Sequence, residues 1–322
     1  MSVEFENKLI EEFGKLDSKK FSVLLSKHHI FLCGGEVKAT CPIPPSFRDR
    51  FFSFSAKKDN QIHNAFVLAE NFKDYFKENI YSDLLVFEDE IANLSTLVVI
   101  FLESPGSLVE LGMFCSKPHF YKKLVIVAPQ KDIQEEDSFI YLGPLENIKK
   151  KDGTSVVVYP WPDPKILEYD ESNLSDLLSH INNKLALINQ SEKFDSNNSG
   201  HNALLICEIV RLCYPILLSE IELALMALKI SMGKNDVLRH LYLLSKFQLI
   251  NKYPYSRNQY YFPTSDEERK IKLANAAGDQ VVDPTKIKMS IRQTFISSTD
   301  SSSSKRKTAL RQIIEKLSGD TK

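Results

Sequence analysis

The sequence has few of the residue patterns that bind metals or span membranes. Its five cysteines form no CxxC pair, and its seven histidines form neither HExxH nor HxH, so we expect no metal site. No apolar run reaches the ~20 residues that a bilayer-spanning helix needs. The N-terminal stretch "MSVEFENKLIEEFGKL" is acidic and lacks an apolar signal core. We therefore expect a cytoplasmic protein that binds neither membrane nor cofactor.

The net charge is close to zero but unevenly distributed. Residues 1–232 hold 24 Lys and Arg against 33 Asp and Glu, a balance of −9. Residues 233–322 hold 17 against 9, a balance of +8. This asymmetry favours an acidic body with a basic end that contacts nucleic acid.

The first half of the chain alternates apolar runs with helical spacing, and no internal repeat is found. Residues 61–80 have the spacing of a helix, and the apolar runs predict strands over 28–35, 83–89, 95–103, 123–130 and 154–161. Strands separated by helices are typical of βαβ units. We predict an α/β domain over 1–188, with an open, mostly parallel sheet flanked by helices.

The second half of the chain has a different character. Residues 189–202 are rich in Asn and Ser and are predicted to be a linker. Residues 203–265 predict three helices and a hairpin, the order of a small winged-helix domain, and 266–322 are predicted to be a basic C-terminal extension. Within it, residues 296–322 predict a flexible arm with the cluster Lys305–Arg306–Lys307 and a short terminal helix. The predicted nucleic-acid or partner contacts are Lys234, Arg239, Lys246, Lys252 and Arg257. Winged helices also bind proteins, so both kinds of partner stay open.

The stretch "FLESPGSLVELGMF" (101–114) follows the strongest predicted strand and contains Glu110. Glu110 fits a capping box with Ser107, or Ser104 caps the helix and Pro105 takes its first position. The helix is apolar nearly all round, which predicts a buried position and leaves Glu110 as its only charge. A buried carboxylate at the carboxyl end of a sheet strand is typical of a ligand site, so cap and catalyst both stay open.

Three other places offer candidates for the same site. Glu88 and Asp89 lie at the carboxyl end of the predicted strand 83–89, where one could serve as acid–base partner or orient a ribose, unless both lie in a solvated loop. Arg48 and Arg50 follow the first strand and suit a phosphate, although surface ion pairs are an equally simple interpretation. Trp161 is expected in the core.

The strand, small loop and "SPGSLVELGMF" resemble the catalytic strand–loop–helix of the nucleoside 2-deoxyribosyltransferase-like superfamily, and "FLCGG" resembles its first strand and glycine turn. The longer stretch "FEDEIANLSTLVVIFLESPGSLVELGMF" (87–114), with the winged helix, resembles the ribosyltransferase/DNA-binding effectors of bacterial retrons. These antiviral operons also encode a reverse transcriptase and a small RNA–DNA hybrid, the msDNA.

The resemblance implies roles for individual residues. Glu110 would be the nucleophile or the stabiliser of an oxocarbenium ion. The residues expected to lie against ribose or phosphate are Gly34, Gly35, Ser104, Gly106 and Ser107. Where the deoxyribosyltransferases have an Asp-containing loop before the nucleophile helix, this chain has Glu103 and Ser104, which puts deoxynucleoside exchange in doubt.

The resemblance also implies an activity and partners. The protein would be a toxin that cleaves an N-glycosidic bond, with NAD as substrate rather than cofactor, held inactive by the reverse transcriptase and msDNA. A homo-oligomer or a larger assembly stays open. A rival hypothesis is a nucleotide-sensing winged-helix transcriptional regulator without catalysis, and a third is a scaffold that only contacts proteins.

Overall fold

The computed structural model describes residues 3–38, 40–72, 80–131, 139–277 and 282–319. Within them the α-helices, in chain order, are α1 (Val3–Gly14), α2 (Phe47–Lys58), α3 (Asn60–Ala65), α4 (Leu84–Leu94), α5 (Pro105–Cys115), α6 (Glu146–Lys151), α7 (Glu171–Leu187), α8 (Ser199–Cys213), α9 (Leu218–Ala227), α10 (Lys234–Lys246), α11 (Pro284–Ser297) and α12 (Ser301–Gly319). The strands are β1 (Ser22–Leu24), β2 (Ile30–Cys33), β3 (Phe66–Val67), β4 (Leu97–Phe101), β5 (Leu124–Pro129), β6 (Val156–Tyr159), β7 (Ser191–Lys193), β8 (Ile250–Tyr255), β9 (Asn258–Pro263) and β10 (Ile271–Lys272).

The described residues form two compact units. One, called the sheet unit below, comprises residues within 27–73 and 84–189. The other, called the helical unit, comprises residues within 1–26, 74–83 and 190–322. None of the described helices is long and apolar enough to cross a membrane.

The sheet unit is built on five parallel strands in the order β3-β2-β4-β5-β6. This confirms the predicted α/β fold with a parallel sheet flanked by helices. The chain first adds β3 on one side of β2 and then returns to place β4 on the other side. The carboxyl ends of β2 and β4 therefore lie at the point where the winding direction reverses, which is where open α/β sheets bind ligands.

The central strands are buried because they are apolar on both faces. Every residue of β2, β4 and β5 is buried, as expected for strands covered by helices on both sides. Phe47 and Phe51 of α2 and Leu177 and Ile181 of α7 belong to the core that includes alternate residues of β4. The predicted strands over 28–35, 95–103, 123–130 and 154–161 are present with shorter bounds.

Two predicted elements of the first half are wrong. Residues 84–94 form helix α4 instead of a strand, because Phe87, Ile91 and Leu94 are buried at helical spacing while the three apolar residues before them are exposed. The helix predicted over 61–80 ends at Ala65 and is followed by strand β3 and a 3₁₀ turn to Phe72. Residues 73–79 of that prediction lie outside the described residues.

The helical unit contains α8, α9 and α10 followed by the antiparallel hairpin β8–β9. Ser256 and Arg257 make the hairpin turn with φ values of 48° and 66°. The helices and the hairpin occur in the predicted order, and their identity as a winged helix stays a prediction.

The terminal helix predicted at the end of the chain is present as α12 and is longer than expected. The linker predicted over 189–202 and the flexible arm predicted before that helix contain more regular structure than the sequence suggested. Strand β7 occupies part of 189–202 and pairs with β1, and α8 starts at Ser199. Two long helices, α11 and α12, occupy most of 266–322. Arg306 of the predicted basic cluster is 1% exposed, forms an ion pair with Glu220 and lies over the Phe5 ring, so this part of the chain is held by a buried charge pair.

The N-terminal helix belongs to the helical unit, unlike the predicted domain over 1–188. Helix α1 packs against α9 and α11. The Phe5 and Phe295 rings lie 6.0 Å apart, and the Ser290 hydroxyl donates to the Glu12 carboxylate at 2.9 Å.

Candidate functional site

Helix α5 is capped without Glu110. The Ser104 side chain accepts from the Ser107 amide at 3.1 Å, and the Ser107 side chain accepts from the Ser104 amide at 3.1 Å. Pro105 takes the first helical position, where its missing N–H costs nothing. The interpretation with Ser104 as cap is therefore right, and the capping-box interpretation of Ser107 with Glu110 is wrong.

Glu110 lies in a half-buried position with part of its carboxylate unsatisfied. Burial raises the pKa of Glu110 to about 7, against the opposing effects of the Arg48 charge and a hydrogen bond from the Cys33 thiol. Its Oε2 atom is buried and has no hydrogen-bond partner among the described residues. A carboxylate held in this way near neutrality is typical of a catalytic group.

The Cys33 thiol at the end of β2 contacts the Glu110 carboxylate across the switch point of the sheet. Burial and then the Glu110 charge raise the pKa of Cys33 well above its usual range. The thiol therefore stays protonated and acts as a donor. Cys33 is a free, buried thiol, and no pattern in the sequence predicts its contact with Glu110.

Glu88 on α4 lies beside Glu110 and is even harder to ionise. Burial raises the pKa of Glu88 to about 8, and the negative charges of Glu110 and Glu70 add to this. Its Oε2 atom is also buried without a partner among the described residues. Between pH 7 and 8, Glu110 is therefore mostly ionised and Glu88 mostly protonated. This difference in pKa suits Glu110 to act as a base or nucleophile and Glu88 to act as an acid.

Asp89, the alternative to Glu88, points to a different partner. Its carboxylate forms an ion pair with Lys117. Of the two predicted candidates, the structure brings Glu88 and not Asp89 to Glu110. The sequence places both at the carboxyl end of a strand, whereas both lie within helix α4.

Arg48 provides the positive charge of the site. Its guanidinium is 3% exposed, donates to the Leu32 carbonyl at 2.9 Å and forms an ion pair with Glu70. Arg50 donates to the backbone carbonyls of Leu167 and Asp163 at 2.7 and 3.2 Å. Both side chains are buried, which differs from an exposed arginine fork, and contact of Arg48 with a phosphate stays a prediction. Arg48 balances the charge of a carboxylate group made of Glu70, Glu88 and Glu110.

Glu103 joins the glycine turn of "FLCGG" to the start of α2 through hydrogen bonds, an arrangement called the Glu103 bracket below. The Glu103 carboxylate accepts from the amides of Gly35, Phe47 and Arg48 at 2.9, 2.7 and 3.1 Å. A Cβ added at Gly35 would lie 2.7 Å from that of Ser46 and 3.0 Å from Glu103. The close approach that these glycines permit is thus to Glu103 and Ser46, and contact of Gly34 or Gly35 with a ligand stays a prediction.

Replacing Glu103 by Ala is expected to lower the free energy of unfolding by about 3 kcal/mol, because partly buried amides lose a charged acceptor. Denaturant unfolding of the full chain measures this. Glu36→Ala is the matched control: Glu36 forms an ion pair with the exposed Lys38, and the substitution should change stability by less than about 0.5 kcal/mol. Equal effects of the two substitutions on the free energy of unfolding would contradict a stabilising role for the Glu103 bracket.

The first turn of α5 is partly accessible to solvent. Ser107 is buried and its hydroxyl is engaged in the cap, whereas Pro105 and Gly106 are exposed. The nearest atom to a Cβ added at Gly106 would be the Ser104 hydroxyl, at 3.7 Å. Of the predicted sugar- or phosphate-facing residues, Ser104 and Gly106 therefore lie at an accessible helix N-terminus, where amides and the helix dipole favour anions.

Among the described residues, no group of three metal-ligating side chains could hold a metal ion. Glu70 was missed from the sequence because it lay inside the helix predicted over 61–80. Its place directly after β3, at the carboxyl edge of the sheet, is the signal that would have found it.

The predicted nucleic-acid contacts lie in the helical unit and differ in their availability. Lys234, Lys252 and Arg257 are exposed. Arg239 pairs with Asp236 and lies over the Tyr81 ring, and Lys246 lies over the Tyr242 ring. The neighbouring His240 is buried, which lowers its pKa to about 4 and keeps it neutral.

Comparison with known proteins adds two similar chains and a family. The chain is 30% identical over 256 residues to "Retron Ec73 putative ribosyltransferase/DNA-binding protein" of Escherichia coli, covering 73% of this chain and 79% of that protein. It is 31% identical over 128 residues to the protein of the same description from retron Ec86, covering 40% of this chain and 39% of that one. The STM3845 retron effector family matches residues 44–252. The chain belongs to the family of STM3845 retron effector proteins.

Proposed function

We propose that this chain cleaves an N-glycosidic bond, in NAD or in a nucleotide or nucleoside, with Glu110 acting on the sugar. One observation carries the proposal: two half-buried carboxylates whose charges interact, Glu110 and Glu88, have their pKa values raised to about 7 and about 8 at the switch point of the sheet. Enzymes that hydrolyse glycosidic bonds commonly use two carboxyl groups with different pKa values. The ribosyltransferase description of the two relatives supports the same chemistry.

In the proposed reaction, the ionised Glu110 carboxylate lies against the anomeric carbon. As the bond from C1′ to the base nitrogen breaks, its electron pair leaves with the base and positive charge develops on the sugar. Glu110 stabilises that charge or captures C1′ as an ester. With a base that needs a proton, the protonated Glu88 donates it, and the Glu88 carboxylate then takes a proton from the water that attacks C1′. With nicotinamide, which leaves NAD as a neutral molecule, Glu88 keeps its proton and the proton of the attacking water passes to solvent.

The cellular role follows from the family. As a retron effector, the chain would be the toxic component of an antiviral system, killing the infected cell by consuming its substrate. The reverse transcriptase and msDNA of the same retron would hold it inactive until infection. The exposed Lys234, Lys252 and Arg257 of the helical unit supply charges suited to the nucleic-acid part of such a complex.

A substrate panel tests the proposal. The purified chain would be incubated with NAD, with ATP and with deoxynucleosides, alone and together with the reverse transcriptase and msDNA, and free bases would be separated by chromatography. We expect base release by the chain alone and less release in the complex. No free base in either setting, combined with sequence-specific binding to duplex DNA, would support the rival regulator instead.

Cys33→Ala tests the hydrogen bond that the thiol donates to Glu110. Its loss destabilises the ionised carboxylate, so the pKa of Glu110 should rise further. The acidic limb of the pH profile of kcat/KM is expected to move upward by about one pH unit. Cys33→Ser, which keeps a donor, is the control and should not move the limb upward. An unchanged limb in the alanine variant would mean that the thiol does not act on Glu110.

A further inference from the structure

Helix α10 has a buried face and, opposite to it, a face of polar and aromatic residues. Successive residues of a helix are turned by about 100°, which puts Val237, Leu241 and Leu244 on one side, where all three are buried. The residues that point the opposite way are Asn235, Arg239, Tyr242 and Lys246. In a winged helix of the predicted order, this outward face would enter the major groove of DNA.

The outward face of α10 is covered by Tyr81. Tyr242 lies on this face and is only 2% exposed. The Tyr81 ring meets the Tyr242 ring edge-on, with centroids 6.2 Å apart, and the Arg239 guanidinium lies over the Tyr81 ring at 5.8 Å from its centroid. Tyr81 is itself buried and belongs to the helical unit, as α10 does. These two ring interactions are called the Tyr81 contact below.

The Tyr81 contact and duplex DNA exclude each other on α10. The major groove is about 12 Å wide and a helix with its side chains is about 10–12 Å across, so the groove admits one helix without a further segment packed on it. Two of the predicted nucleic-acid contacts, Arg239 and Lys246, lie on the covered face. DNA can therefore reach the exposed Lys252 and Arg257 of the hairpin while the contact holds, but α10 enters the groove only after Tyr81 has left.

Tyr81 is close in the chain to the proposed acid Glu88. The chain enters the sheet unit at Leu84, where α4 begins, and Glu88 follows one helical turn later. The first three residues of α4 are 47%, 53% and 38% exposed, whereas Phe87 is buried. The start of α4 is therefore its weakly packed end, and a displacement of Tyr81 acts on that end through three peptide units.

We propose that Tyr81 is a positioning residue that nucleic acid displaces: duplex DNA entering on α10 breaks the Tyr81 contact, and the start of α4 moves with it and takes Glu88 away from Glu110. Because the two events are linked, whatever stabilises the Tyr81 contact weakens DNA binding, and DNA binding in turn weakens proton donation by Glu88. The part that concerns Glu88 rests on the proposed function, whereas the competition for α10 does not.

Hydroxyl-radical footprinting of the unsubstituted full-length chain tests the displacement. Duplex DNA of random sequence is the probe, and mass spectrometry gives the oxidation rate of each tyrosine. Saturating DNA is expected to raise the oxidation of Tyr81 by about fivefold or more, because its ring passes from a buried to an exposed position. Tyr242 should stay protected, because DNA replaces Tyr81 on it. A Tyr81 ring that stays protected in the presence of DNA would overturn the proposal.

Binding of a labelled duplex, followed by fluorescence anisotropy at one salt concentration, tests the competition. Tyr81→Ala is expected to raise the affinity by about tenfold or more, because the binding-competent state no longer has to break the contact. Tyr81→Phe keeps the ring and Ser82→Ala changes an exposed neighbour, so both should bind as the wild type does. Adding Arg239→Ala and Lys246→Ala to Tyr81→Ala should remove most of the gain. Equal affinities of Tyr81→Ala and the wild type would overturn the proposal.

Release of two different bases tests the effect on Glu88. Tyr81→Ala is expected to lower purine release by about tenfold or more while nicotinamide release from NAD stays within about threefold, because only the purine needs the acid. Tyr81→Phe should restore purine release. An equal fall on both substrates would indicate a general loss of structure and overturn the positioning role. If DNA displaces Tyr81 but no base is released from any substrate, the proposed function fails and the competition for α10 stands.

Discussion

Glu110→Gln is expected to lower base release by at least about 1,000-fold while the protein stays folded. The substitution removes the negative charge that meets the positive charge developing on the sugar, and loss of such a group typically costs several powers of ten in rate. Steady-state release of nicotinamide from NAD measures this effect. Val109→Gln is the matched control: Val109 is the preceding residue of α5, is 57% exposed and should leave the rate within about twofold.

The stability of Glu110→Gln distinguishes catalysis from a structural role. The folded-state pKa of Glu110 is raised to about 7 from its ordinary 4.5, so ionisation favours the unfolded chain. Wild-type stability should therefore fall as the pH rises from about 4.5 to 7, and the glutamine variant should lack this loss. Thermal unfolding at pH 5 and pH 8 should show the variant gaining on the wild type at the higher pH. A variant less stable at both values would indicate that the carboxylate holds the fold together.

Glu88→Gln is expected to slow base release from some substrates and not from others, depending on whether the leaving base needs a proton. A purine needs a proton as it departs, so purine release should fall about 100- to 1,000-fold when the acid is lost. Nicotinamide leaves NAD as a neutral molecule from a cationic ring and needs no proton, so its release should change by only about threefold. Chromatography of the released bases from both substrates, at one pH, measures the ratio.

Asp89→Asn is the control for Glu88. The two carboxylates are neighbours on α4, but Asp89 pairs with Lys117 and takes no part in the carboxylate group. The control should release both bases at close to the wild-type rate. A fall for Asp89→Asn as large as that for Glu88→Gln, or a Glu88→Gln effect that is equal on purine and nicotinamide, would contradict the role of Glu88 as an acid.

The parallel sheet and the helix of Glu110 were predictable because their signals are local. The strands β4 and β5 are runs of β-branched and apolar residues, and "SPGS" contains the cap and first turn of α5. Glu88 interacts electrostatically with Glu110, but it lies on a helix where a strand was predicted, and its role stays a prediction. The run "LLVFE" reads as a strand by composition, and only the burial of Phe87, Ile91 and Leu94 on one face shows the helix.

The remaining features depend on tertiary contacts that a single sequence does not reveal. The distribution of burial on α5 was mispredicted: Leu108 and Val109 are 42% and 57% exposed, so the helix is buried on one face only. The pairing of Arg48 with Glu70 joins residues 22 positions apart. The ion pair of Arg306 and Glu220 joins residues 86 positions apart. Arginines that the sequence suggested for ligand contacts or for a flexible arm therefore form ion pairs inside the fold.

The pH dependence of base release by the wild type tests the central claim most directly. With purine substrates, an ionised Glu110 beside a protonated Glu88 requires a bell-shaped profile with its maximum between about pH 7 and 8. With NAD, only the acidic limb near pH 7 should appear, because nicotinamide needs no acid. A rate that is flat from pH 5 to 9 on both substrates, or that is unaffected by Glu110→Gln, would contradict the account.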